Sequence, residues 1–93
     1  MSSMEPEEFQ KLLDEYYQWP TEYMFKFIIK SDLIEGIQGL EDVFASLEII
    51  EKTTRSSHGG KYTAYSVRAQ MHSSISVIDV YRKVSEIEGV VAL

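Results

Sequence analysis

Cysteine is absent from the 93 residues. That absence excludes a disulfide framework, thiolate zinc sites and cysteine nucleophiles, and it fits a reducing compartment. Histidine is nearly absent too: His58 and His72 are the only two. They form neither an HxH nor an HxxxH pair, the spacings that would place two imidazoles on one metal. No apolar run approaches the roughly 20 residues of a membrane-spanning helix. The first nine residues, MSSMEPEEF, are acidic and lack the apolar stretch of a secretory signal, so a cytoplasmic protein is expected. Basic residues are scarce, 9 against 15 acidic, and the net charge is −6. Non-specific nucleic-acid binding runs on cations that displace condensed counterions, so this balance argues against it.

What is present is the composition of an ordinary globular chain, 44% hydrophobic and 26% charged. A chain of this length hides only about 60–65% of the surface that its unfolded form exposes. One core fits that size; a second domain or a deep enclosed active site does not. The charge is unevenly placed. Residues 1–51 carry 12 acidic and 3 basic side chains, and residues 52–93 carry 3 acidic and 6 basic ones. Solvated surface charge is the plain reading of both halves.

Periodicity divides the chain into seven elements. Residues 5–18 predict an amphipathic helix. Pro6 suits the first helical position, Glu5, Glu7 and Glu8 complement the positive end of the dipole, and Phe9, Leu12, Leu13, Tyr16 and Tyr17 form one apolar stripe. Trp19-Pro20 ends it, because the residue before proline is pushed out of the α region. Residues 21–30 alternate as a strand, with Tyr23, Phe25, Phe27 and Ile29 on the core face and Met24, Lys26, Ile28 and Lys30 on the other. Residues 31–47 predict a helix capped by Ser31 or Asp32. Gly36 and Gly39 each weaken it by roughly 1 kcal/mol relative to alanine, so packing must compensate or the helix starts after Gly39. Residues 48–57 and 61–71 form a hairpin around Ser57-His58-Gly59-Gly60. Residues 74–88 predict a helix capped by Ser73 or Ser74, with Gly89 as its left-handed C′ residue. Residues 90–93 end the chain as a short strand.

The order after the first helix is β-α-β-β-α-β, that of the ferredoxin-like unit. The expected fold class is therefore α+β: a ferredoxin-like βαββαβ sandwich, with a four-stranded antiparallel sheet, two helices on one face and an N-terminal helix added. Residues 1–18 are expected as an acidic helical extension and 19–93 as the ferredoxin-like domain.

Three blocks then carry a family resemblance: Trp19-Pro20 with Tyr23 and Phe25-Lys26-Phe27-Ile28-Ile29; Ser56-Ser57-His58-Gly59-Gly60-Lys61-Tyr62; and Tyr81 through Ile87-Glu88-Gly89-Val90 to Leu93. In order and spacing they resemble the YbeD-like family of small uncharacterised bacterial proteins. The resemblance implies an ACT-like, ferredoxin-like fold and supplies no activity.

No constellation in the chain points to catalysis, a cofactor or a resident metal, and none of the three is expected. Ser73, Ser74 and Ser76 lack the GxSxG elbow of a nucleophile and read as helix caps. His58 and His72 read as turn and pre-cap residues. The run from Arg55 to Lys61 looks like an anion loop, but it lacks the GxxxxGK[ST] spacing and a following helix. An RNA-recognition module shares the element order, yet it needs aromatics on the open sheet face; here Tyr62 is the main outward one. Two surfaces remain. Met24, Lys26, Ile28, Lys30, Tyr62, Ser66 and Arg68 mix apolar and cationic side chains on the open face and are the candidate interface. The acidic N-terminal helix could instead lie over them as a lid. Ser31, Asp32, Gly36 and Gly39, at the place where ACT-like domains approach a metabolite, and Gly60 and Lys61 of the turn are the candidate ligand or anion residues. The expected function is regulatory or adaptor binding of another protein or a second copy of the chain. The alternative is an ACT-type sensor of an amino-acid-like metabolite, and an RNA-binding module is the distant one. Nucleic acid and membrane are not expected partners.

Overall fold

Residues 5–93 are described in a computed structural model. Helix α1 spans Pro6–Tyr16, β1 Thr21–Lys30, α2 Ile34–Ala45, β2 Glu48–Ser56, β3 Tyr62–Met71, α3 Ser74–Ser85 and β4 Val91–Ala92. The strands form one antiparallel sheet in the order β2-β3-β1-β4. This is the ferredoxin-like α+β arrangement, with α2 and α3 on one face.

The period-2 pattern of β1 settles which face that is. Phe25, Phe27 and Ile29 are buried, and so are Tyr65, Val67, Ala69 and Met71 on the same face of β3. Leu40 and Phe44 of α2 and Val77, Val80 and Val84 of α3 close the core over them. Phe27 lies at its centre, with ring centroids 6.2 Å from Phe25, 6.1 Å from Phe44 and 5.9 Å from Tyr81. Cβ atoms alternate across a strand, so Met24, Lys26, Ile28 and Lys30 point to the other side of the sheet.

Helix α1 does not lie over that other side, which corrects the lid expectation. It packs on α3: Leu13 enters the core and the Phe9 ring meets the Tyr81 ring edge-on at 5.8 Å. The apolar stripe read from the sequence is narrower in the fold, for Tyr16 is 80% exposed. The helix also stops earlier than expected, with Tyr17 as its extended C-cap residue.

Helix α2 starts at Ile34, three residues after the expected start. Its N-cap is Leu33, with no side-chain cap. Ser31 is unavailable for capping because its hydroxyl bonds that of Thr63 at 2.7 Å. Gly36 and Gly39 lie inside the helix, and their role is close approach. A Cβ on Gly36 would fall 2.7 Å from Ile29 Cδ1, and one on Gly39 would fall 3.2 Å from Ile87 Cδ1. Propensity alone predicts that Gly36→Ala stabilises by about 1 kcal/mol. Overpacking a filled core costs about 1–3 kcal/mol, so the substitution is expected to lower the melting temperature. A raised one would show that Ile29 swings aside freely.

At α3 the capping expectation holds. The Ser73 hydroxyl accepts from the Ser76 amide at 3.1 Å, and the Ser76 hydroxyl accepts from the Ser73 amide at 3.2 Å. The helix ends at Ser85, so Gly89 is not its C′ residue. It sits four residues on, at φ 89°, in the turn into β4.

Burial pushes the Tyr81 phenol well above its usual range, helped by a 3.1 Å hydrogen bond with the Tyr23 hydroxyl. Burial, then Glu41, raises Tyr65 in the same direction. A raised folded-state value means that both states hold the proton below about pH 10 and only the unfolded chain releases it above. Stability is therefore fully present below pH 10 and falls as pH rises further, by at most about 1.4 kcal/mol per pH unit for each such group. Urea melts from pH 8 to 11 check this. Tyr81→Phe should flatten the alkaline slope, and an unchanged slope would place the cause elsewhere.

Candidate functional site

The sheet register builds the uncovered face in rows. Directly opposed residues of an antiparallel pair share a face, so each row can be followed across the strands. Glu22, Gln70 and Glu48 form one row, and Met24, Arg68 and Glu51 the next. Lys26, Ser66 and Thr53 follow, then Ile28, Ala64 and Arg55, and finally Lys30 beside Tyr62. A bulge between Ile49 and Glu51 lets Glu48 and Glu51, three residues apart, stand on the same face. On the far side β4 adds Val91 opposite Ile28, and the Leu93 amide donates to the Lys26 carbonyl at 2.9 Å. All seven candidate interface residues read from the sequence, Met24, Lys26, Ile28, Lys30, Tyr62, Ser66 and Arg68, thus stand together.

Their electrostatic roles differ from one another. Arg68 is not an unengaged cation: its guanidinium bonds Glu22 at 2.8 Å and Glu51 at 3.2 Å, which raises its pKa further. Lys26, Lys30 and Arg55 have no ion-pair partner among the described residues. Val91 and Leu93, 57% and 69% exposed, belong to the same face and were missed in the sequence reading. The alternation Val-Ala-Leu carried the signal, but in so short a strand its phase is fixed only by the pairing with β1. The aromatics of β1 lie on the opposite side, with Phe25 and Phe27 fully buried. A base-stacking platform of the RNA-recognition kind is thus reduced to Tyr62.

The second candidate set also converges. The Ser31 amide donates to the Lys61 carbonyl at 2.9 Å, which docks the β2–β3 turn against the β1–α2 loop. Lys30, Ser31, Asp32, Gly60 and Lys61 line one shallow depression there. Gly36 and Gly39 line an adjoining one of about 940 Å³, with Lys30, Asp32, Tyr62 and Gly89 also on its wall. The space beside the Cα atoms of Gly36 and Gly39 is already taken by Ile29 and Ile87.

His58 is exposed in the β2–β3 turn, and His72 bonds Glu48 at 3.0 Å, both of them exposed. Among the described residues no group of three histidine, aspartate or glutamate side chains could hold a metal ion. No helix among them is long and apolar enough to cross a membrane.

Residues 14–93 match the family described as "Protein of unknown function (DUF493)". The chain belongs to the DUF493 family. No curated protein matches it. Among solved structures, this DUF493 chain is similar to the ACT domain from GTP pyrophosphokinase of Chlorobium tepidum. The TM-score is 0.58 and the identity 11%, with 78% of this chain and 100% of that domain covered. At that identity the likeness is one of fold, and it agrees with the ferredoxin-like topology described above.

Proposed function

We propose that this chain is a non-catalytic regulatory domain that acts by binding a protein through the bare face of its sheet. The observation that carries the reading is that face itself. Met24, Val91 and Leu93 stay in solvent, with the half-buried Ile28 beside them, while α1, the element able to cover them, packs on α3. Contiguous apolar side chains rimmed by charge mark interaction sites on small domains. The ACT-like fold supports a regulatory role, and the sequence blocks support a YbeD-like member of DUF493. On this reading residues 1–18 are an acidic extension of the 19–93 domain, the protein works in the cytoplasm, and it needs no cofactor.

The test is photo-crosslinking in living cells, with a benzophenone amino acid placed at Ile28 on the sheet face or at Ile75 on the helical side. Discrete adducts should form from Ile28 and not from Ile75. The reverse pattern would sink the reading.

A second reading has its own observation, the convergence of Asp32, Gly60 and Lys61 beside the Gly36–Gly89 depression. It makes the domain a sensor of an amino-acid-like metabolite. A ligand at 100 times its dissociation constant should then add about 2.7 kcal/mol, a rise of roughly 10–20 °C for a chain of this size. Melts with millimolar amino acids that stay unshifted would count against it.

A further inference from the structure

The bare face has two electrically different ends. Glu22, Glu48 and Glu51 gather at the end where β1 begins, with Arg68 among them. Lys30 and Arg55 stand at the opposite end, and Lys26 in the middle row. We infer that the occupant of this face is a second copy of the same chain, stacked sheet to sheet with its strands running the opposite way. The inference rests on the reading of the face as a protein-binding surface and adds the partner.

The two ends of the face are complementary in charge. Take a two-fold axis in the plane of contact, perpendicular to the strands and through the row of Lys26. Rotation about it lays the Glu22 row over the Lys30 row of the other copy. Met24 then meets Ile28, and Glu51 meets Arg55. A two-fold contact repeats every pairing twice, so one carboxylate–cation match at each end becomes two. With the axis along the strands instead, rows would meet their own kind, acid on acid and cation on cation. The face also escapes the repulsion that a net charge of −6 imposes on two copies. It holds three acidic residues, Glu22, Glu48 and Glu51, against four basic ones, Lys26, Lys30, Arg55 and Arg68.

The area is sufficient for a weak dimer. Strands of about ten residues at ~3.3 Å rise, three long and one short at ~4.8 Å spacing, span roughly 500–600 Å² in plan per copy. Two copies together bury on the order of 1,100 Å², just above the ~1,000 Å² that a specific interface needs. The dimer should therefore form and dissociate with concentration. Lys26 lies at the axis, where it faces its own symmetry mate, so Lys26→Met should tighten the association.

Sedimentation velocity of the full chain over a concentration series is the experiment, with Lys30→Glu and Glu22→Lys as variants. Each alone sets like charges against each other at both ends and should weaken the dimer at least tenfold. An equimolar mixture restores opposite charges at both ends and should recover a heterodimer. Melting curves matching the parent show that the variants fold. Should Glu22→Lys unfold through loss of its Arg68 contact, Ile28→Asp replaces it, and loss of dimer there is the expected result. A parent chain that stays monomeric throughout overturns the inference, as do variants that dimerise like the parent or a mixture that stays apart. A monomeric parent that still crosslinks from Ile28 to a chain of another mass overturns the second copy alone and leaves the binding face standing. No crosslink from that face removes both.

Discussion

Phe27→Ala should remove a large part of the domain's stability, about 3–5 kcal/mol. Phe27 is fully buried and touches the three parts of the core at once: Phe25 on its own strand, Phe44 of α2 and Tyr81 of α3. Removing a buried phenylalanine ring loses its transfer free energy and leaves a cavity, together about 3–5 kcal/mol. Small domains hold only about 5–15 kcal/mol in total. At about 4–8 °C per kcal/mol, the melting temperature should fall by roughly 12–40 °C. Thermal melts followed by circular dichroism check it. A loss of only a few degrees would mean that the aromatic cluster is not the centre of the core.

The second large effect is expected from Gly89→Ala, at a position that sequence alone marks only as a helix end. The residue adopts φ 89°, and a Cβ there would fall 2.5 Å from Leu33 Cδ1. The left-handed backbone costs an L-residue about 1–2 kcal/mol, and the collision adds about 1–3 kcal/mol. A total of about 2–5 kcal/mol should appear in urea melts. Gly60→Ala is the control, since it shares the positive φ at 74° but meets nothing within 4 Å. It should cost only the backbone part. Equal losses at the two sites would show that Leu33 moves away without penalty.

These two positions illustrate what could be read from the chain. The faces of β1 and β3 were legible because large apolar residues recur at every second position, Tyr23, Phe25, Phe27 and Ile29 in β1 and Tyr65, Val67, Ala69 and Met71 in β3. The Ser57–Gly60 turn and the Ser73 cap were legible for the same reason, since local chemistry decides them. The start of α2 was not, because Ser31 has two competing partners and the inner strand β3 supplies the winning one, Thr63. Gly36 and Gly39 looked like weak points or a ligand approach. What they serve is contact with Ile29 and Ile87, one of them about 50 residues away in sequence. The place of α1 was open for a related reason. Its acidic face fits the cations of the sheet as well as it fits solvent, while Phe9 and Leu13 fit a groove that exists only once α3 has docked.

The interface set follows from strand alternation, so it could be named from the sequence. The pairing of Arg68 with Glu22 and Glu51 depends on the β2 bulge and the β1–β3 register, and neither is written in local pattern. The separation of charge along the face depends on that same register.

The claim on which the functional account depends is that α1 lies on the helices and leaves the sheet bare. The most direct measurement is quenching of methyl signals by a soluble nitroxide in dilute protein. The account predicts that Met24, Ile28 and Leu93 are broadened strongly while Leu13, Val77 and Val80 are spared. Protected Met24 and Ile28 methyls would put α1 over the sheet and contradict it.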